Sequence, residues 1–219
     1  MSDDRSDDEK DDRSPRRPRS TGASLFRFCP RCGGRLEARE RQGRFRPTCP
    51  ACGFVQYRNP AVGVAAILEE AAVAAIVGTA AIEQATGGSP PTGGDAPEQG
   101  GARSRVLLVR RARVAFGSGL WCLPCGYVEY DEEVREALAR EVAEETGLLV
   151  AVGNPFAVES NFHDPDRQTV GIWFRAEPRG GTLRAGDDAD ALRFVDPAAP
   201  GLPLAFPTDA RVLSRLARL

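Results

Sequence analysis

From Gly126 to Leu148 the chain reads GYVEYDEEVREALAREVAEETGL, and this stretch constrains the fold more than any other. Val134, Leu138 and Val142 recur one helical turn apart and Gly147 supplies a C-terminal stop, so the pattern predicts a helix over 132–145. On a wheel of about 100° per residue, Glu141, Glu144 and Glu145 share one arc that overlaps the edge of the apolar stripe. Their carboxylates therefore converge beside a core instead of in open solvent. Like charges so spaced destabilise an exposed helix by about 0.2–0.5 kcal/mol per pair, and by more once desolvated. Two readings follow. One is a solvated acidic face paired with arginine. The other is a site for a divalent cation with hard oxygen ligands, Mg²⁺ or Mn²⁺. Arg140 is placed to pair with Glu144 at i,i+4 or to reach back to Glu132.

The spacing favours the cation. Gly126, five residues, Glu132, seven residues, then Arg140-Glu141-Val142-Ala143-Glu144-Glu145-Thr146-Gly147-Leu148 matches the Nudix box at every specified position. Residues of about 60–219 thus resemble the Nudix hydrolase superfamily. The resemblance implies a Nudix α/β/α sandwich with a mixed sheet, the box forming loop–helix–loop. It implies hydrolysis of a nucleoside diphosphate linked to another moiety. It makes Glu141, Glu144 and Glu145 ligands of Mg²⁺ or Mn²⁺, joined by the backbone carbonyl of Cys125, with Glu132 and Arg140 as a salt-bridged support. The catalytic set is then Glu132, Arg140, Glu141 and Glu144. The general base stays open between Glu141 and an acid on a later loop, Glu159, Asp164 or Asp166. The box departs from the usual approach in one place: Leu-Pro-Cys-Gly precedes it, putting Cys125 where a small residue is customary.

Composition divides the rest. Residues 1–24 are charged with almost nothing to bury, and predict a disordered tail. Residues 25–58 hold two cysteine pairs, and 59–219 read as the main α/β domain, interrupted by a flexible Gly/Pro-rich insertion at about 83–104. Ala61–Ile67 and Arg105–Arg111 read as strands, Ala71–Ile82 as strand or helix, and the segments after Leu148 as β-rich. A closing helix is expected at PTDARVLSRLARL with Thr208 or Asp209 as its N-cap. No apolar run reaches membrane-spanning length, no secretory signal is visible, and a net charge of −2 steers the chain to neither nucleic acid nor an acidic surface. Arginine outnumbers lysine throughout, which reads as compositional bias.

Six cysteines without an export signal suit a reducing, cytoplasmic setting and point to metal before disulfides. Cys29-Pro-Arg-Cys32 and Cys49-Pro-Ala-Cys52 lie 16 residues apart, each followed by glycine. That is the spacing of a four-thiolate zinc ribbon, structural because no coordination position stays open. The alternative is a disulfide pair. The ribbon's role is to order its own segment, to form a homodimer interface, or to bind nucleic acid through arginines interleaved with Phe26, Phe28 and Phe45; glutamates dilute that last surface. The third pair, Cys122 and Cys125, reads as packing, a redox pair or a second metal site.

A zinc ribbon joined to a Nudix domain resembles two groups. The NADH pyrophosphatases carry a Ser-Gln-Pro-Trp-Pro-Phe-Pro array that this chain lacks. The ADP-ribose and FAD diphosphatases carry stretches similar to YRNPAVGVAAILEE and LPLAFPTDARVLSRL. The expected substrate is accordingly ADP-ribose, FAD or a related dinucleotide, with NADH, NAD or NAD-capped RNA as the alternative. A third reading is a zinc-ribbon nucleic-acid regulator that uses the Nudix fold to sense a nucleotide. Arg110, Phe162 and His163 are the candidate substrate contacts, with Arg111 and Trp173 beside them as either contact or ordinary packing.

Overall fold

The computed structural model describes residues 26–87, 104–112, 117–164, 167–186 and 188–219, in two compact units, Met1–Arg58 and Asn59–Leu219. The expected tail over 1–24 and most of the expected insertion lie outside the described residues.

In the first unit two matching turns flank an antiparallel hairpin, β1 (Glu37–Arg41) and β2 (Arg44–Thr48). The Gly33 N–H donates to the Cys29 carbonyl at 2.9 Å, and the Gly53 N–H to the Cys49 carbonyl at 3.0 Å. Gly33 and Gly53 take φ of +71° and +74°. A side chain resists that left-handed backbone, which accounts for the glycine after each cysteine pair.

The second unit holds a four-stranded sheet and a three-stranded sheet. In the first, β6 (Cys125–Tyr127), β3 (Ala61–Ile67), β8 (Thr169–Gly181) and β7 (Leu148–Asn161) lie in that order. In the second the order is β5 (Trp121–Cys122), β4 (Val106–Arg111) and β9 (Ala189–Val195). β3 and β8 run parallel and the other pairs antiparallel, so the larger sheet is mixed, as expected. Val64, Ala66, Leu107 and Val109 enter one core with Leu138 and Val142 of α3 (Val134–Thr146). Ala65, Ile67, Val106 and Leu108 enter a second core with Val212 and Leu213 of α4 (Pro207–Leu216). Helices thus cover both faces, which makes the α/β/α sandwich. It also explains why these strands are unbroken apolar runs, since neither face meets water.

Two local expectations change. The ambiguous segment forms two short helices, α1 (Glu70–Val77) and α2 (Thr79–Thr86), broken at Gly78, where φ is +83°. Residues 83–86, expected in the insertion, finish α2. At α4 the N-cap is Phe206, followed by Pro207, and neither Thr208 nor Asp209 caps the helix. Both are buried in its first turn, and the Asp209 carboxylate accepts the Leu123 N–H at 3.2 Å and the Trp173 Nε1–H at 3.0 Å. These tertiary bonds displace the local cap. Among the described residues no helix is long and apolar enough to cross a membrane.

Candidate active site

Helix α3 is set by its ends and its buried face. Glu133 caps it, accepting the N–H of Arg135 at 2.6 Å and of Glu136 at 3.3 Å, and Gly147 closes it in the left-handed conformation. Leu138 and Val142 are fully buried, each contributing about 1.5–3 kcal/mol. That fixed orientation grades the acidic arc. The Glu144 side chain stays 42% exposed, Glu141 falls to 16%, and Glu145 is 2% exposed. Burial pushes the Glu145 carboxyl well above the usual carboxylate range and raises Glu141 in the same direction. Glu145 keeps one strong partner, the Cys125 N–H at 2.9 Å from its Oε2.

Arg140 takes both of the partners that its spacing allowed. Its Nε and Nη2 fork onto Glu132 at 2.8 and 2.9 Å. Nη2 also donates to the Tyr127 carbonyl at 3.1 Å, and Nη1 bridges Glu141 at 2.9 Å and Glu144 at 3.1 Å. Five N–H donors thus meet five acceptors, which a lysine has too few protons to reproduce. The fork holds Glu132 below its ordinary pKa.

Gly126 lies against this network. A Cβ there would overlap the Glu141 carboxylate, so only glycine lets that side chain rest on β6. A cleft of about 380 Å³ is lined by Gly126, Arg140, Glu141 and Glu144 together with Asn161, His163, Phe206 and Thr208. That volume suits a small-molecule ligand.

The sequence candidates separate here. Cys125, Arg140, Glu141 and Glu144 line the cleft, and Glu132 and Glu145 support it through Arg140 and the Cys125 N–H. His163 lines the cleft, its ring 5.1 Å from that of Phe206, and burial holds the imidazole below its usual pKa and hence neutral near pH 7. Arg110 does not line it: the side chain pairs with Asp190 at 2.6 Å and lies over Trp121. Successive strand residues face opposite ways, so its neighbour Arg111 enters the cleft instead, over the Phe206 ring at 5.4 Å. Phe162 is exposed and outside the lining. Of the later acids, Asp164 lines the cleft, Glu159 pairs with Arg211 and Arg215 of α4 away from it, and Asp166 lies outside the described residues. Trp173 is core, 3% exposed with its indole held by Asp209, and it also lines the cleft. Sequence reading missed Asp188, Asn161, Thr208 and Phe206 as cleft residues. FPTDA carried a signal only for a helix start, and Asp188 carried none.

The acidic cluster fits a divalent cation by its chemistry: three carboxylates, one buried, whose mutual repulsion and desolvation a cation would offset. Among the described residues, only the four cysteines bring three or more ligand atoms within 4.8 Å of one another. At the glutamates, Arg140 Nη1 stands between two of the acids instead. In the first unit Cys29 and Cys52 sulfurs lie 3.6 Å apart and those of Cys32 and Cys49 3.5 Å apart. Zinc–thiolate bonds in a tetrahedron would set that spacing at about 3.8 Å. The Cys52 backbone N–H holds the Cys49 thiol down at about 7, while, against the pull of the Gly34 backbone, hydrogen bonds with Cys49 and Cys52 push Cys32 up to about 12. Cys122 and Cys125 are free thiols with sulfurs 3.9 Å apart, and Cys122 packs in the core.

Comparison with known proteins agrees with this architecture. The sequence profile described as NUDIX domain matches residues 97–216, more than half of the chain. An ADP-ribose pyrophosphatase of Methanocaldococcus jannaschii is 40% identical over 94 residues, covering 42% of this chain and 55% of that protein. The NAD-capped RNA hydrolase NudC of Pseudomonas aeruginosa is 28% identical over 179 residues, covering 81% of this chain and 50% of that protein. The chain thus spans about half the length of these relatives. The crystal structure of a NUDIX hydrolase from Nitrosomonas europaea superposes with a TM-score of 0.61 at 26% identity, covering 88% of this chain and 91% of that one.

Proposed function

The chain belongs to the Nudix hydrolase family, and from that premise we propose that it hydrolyses the diphosphate linkage of a nucleoside diphosphate derivative with Mg²⁺ or Mn²⁺. ADP-ribose, FAD or a similar dinucleotide is the substrate. The products are a nucleoside monophosphate and a second phosphorylated compound. The observation that carries the reading is the graded acidic arc of α3 packed on Gly126 in the cleft lining. A relative named as an ADP-ribose pyrophosphatase supports the substrate class. Resemblance to a relative named as an NAD-capped RNA hydrolase keeps NAD-type substrates as the second reading.

In this mechanism Glu141, Glu144 and Glu145, with the Cys125 carbonyl, would hold a divalent ion, whose chemistry would be to neutralise the diphosphate and lower the pKa of a water. Arg140 keeps its fork on Glu132 and the Tyr127 carbonyl while Glu141 and Glu144 give up the shared Nη1, so the network holds the acids in place without competing for them. The proton of the attacking water passes to a carboxylate in the cleft, Glu141 or Asp164. Arg111 faces the same space and offers its guanidinium to a phosphate oxygen. The four cysteines would hold a structural zinc, and residues 25–58 would form the ribbon preceding a hydrolase domain at 59–219.

The test is a panel of ADP-ribose, FAD, NADH, NAD and dNTPs with Mg²⁺, read by phosphate release in a coupled assay, with wild type beside Glu144→Gln. The expected result is rapid turnover of one diphosphate-linked nucleotide by wild type and loss of at least about 10²-fold in the variant. No turnover with Mg²⁺ or Mn²⁺, or an unimpaired variant, would refute the proposal.

A further inference from the structure

The hairpin of the first unit gathers its arginines on one face. Its register sets Arg39 opposite Arg46 and Arg41 opposite Arg44, while Ala38 meets Pro47 and Glu40 meets Phe45. Residues directly opposite in an antiparallel pair share a face, and neighbours along a strand alternate. Arg39, Arg41, Arg44 and Arg46 therefore stand together with Glu37, and Glu40 and Phe45 point the other way. The turn pins this register: Gln42 and Gly43 both take positive φ, +53° and +71°, as a two-residue type I′ turn requires. The glutamates that dilute this stretch in sequence are thus sorted from its arginines. Glu40 lies on the far face, and Glu37 is taken by Arg39 at 3.0 Å.

This arrangement works against the fold. Like charges directly opposite weaken a strand pair, and a lone two-stranded hairpin is marginal to begin with. Both opposed pairs here are arginine, and Arg41 and Arg44 have no carboxylate partner among the described residues. Four arginines and one glutamate leave three positive charges on a patch about 7 Å along the strands and about 5 Å across. Tyr57 stands against the same face, 53% exposed, with the Arg46 guanidinium 4.8 Å from its ring centroid. A chain of phosphates would meet the charge, and an unpaired base would stack on the ring. The chain's own acidic stretch, DDRSDDEKDD, would meet the charge but brings no ring to stack on Tyr57.

We propose that this face of the first unit binds single-stranded nucleic acid, the arginines following the phosphates and Tyr57 stacking on a base.

Fluorescence anisotropy of a labelled oligothymidine dodecamer, titrated with the full chain from about 50 to 200 mM salt, tests it. Neutralising about three phosphates gives a log–log salt slope of about −2. Arg41→Ser with Arg44→Ser should weaken binding at least about tenfold at low salt and bring the slope to about −0.7. Arg41→Lys with Arg44→Lys keeps the charge and should keep the slope. Tyr57→Ala should weaken binding at least about fivefold with the slope unchanged. Phe45→Ser, on the opposite face, should bind within about twofold of wild type. A wild type with no salt-dependent binding, an unchanged slope in the serine pair, or an equal loss in Phe45→Ser would overturn the assignment. Binding that emerges only after residues 1–24 are removed would make the chain's own acidic stretch the occupant, and capture by phosphatidylserine vesicles without any by the oligonucleotide would make this a membrane face; either result overturns it as well.

Discussion

Replacing Gly126 by alanine should separate activity from stability. Gly126 is not among the residues with positive φ, so its strand backbone accepts a side chain without strain. The added methyl meets the Glu141 carboxylate, the mobile end of a flexible side chain, instead of fixed backbone. Glu141 must rotate away. Leaving a preferred rotamer costs about 0.5–1.5 kcal/mol. Losing the part-exposed Arg140–Glu141 pair costs about a further 0.2–1 kcal/mol. Gly126→Ala should therefore destabilise the fold by no more than about 2.5 kcal/mol in urea denaturation. Turnover should drop at least about 10²-fold, because a proposed metal ligand has moved by more than an ångström. Glu141→Gln, assayed beside it, should show the same pattern of loss. If Gly126→Ala hydrolyses substrate within threefold of wild type, the position of Glu141 against β6 is irrelevant to catalysis and the reasoning fails.

Two further outcomes follow from buried groups and from the cysteines. Burial pushes the Asp209 carboxyl up to about 7, against about 3.9 in an unfolded chain. Between those values the folded state carries a proton that the unfolded state lacks. Stability therefore falls as pH rises from about 4 to 7, and levels above that. From pH 5 to 8 wild type should lose about 2–3 kcal/mol relative to Asp209→Asn; parallel urea midpoints for the two proteins would contradict this. Cys49→Ser should cut zinc in the purified chain, measured by elemental mass spectrometry, from one ion to less than about a tenth, while hydrolysis stays within a few-fold because four-thiolate sites are structural. Equal zinc in both proteins would remove the ribbon assignment.

Much of the site was legible because local rules governed it. The stripe of Val134, Leu138 and Val142 placed Glu145 at the edge of a core, and it is buried. The i,i+4 spacing put Arg140 beside Glu144, and the two cysteine turns followed from proline and glycine at fixed offsets. What stayed hidden depended on which face of an element met which neighbour. At the end of β4 the pattern did not say which of two arginines turns inward; Arg111 does, and Arg110 pairs with Asp190. Asp209 looked like a helix cap until Trp173 and Leu123, far away in the sequence, claimed its carboxylate.

The sequence by itself determined the acidic helix, its paired arginine, the glycine that precedes it and the four-cysteine spacing, because each is set by helical period or by a turn of a few residues. Tertiary structure alone decided that Asn161, Thr208, Phe206 and Asp188 share a cleft with those acids. Those residues come from β7, the start of α4 and the segment before β9, and only the packing of sheets against helices brings such distant segments to one wall.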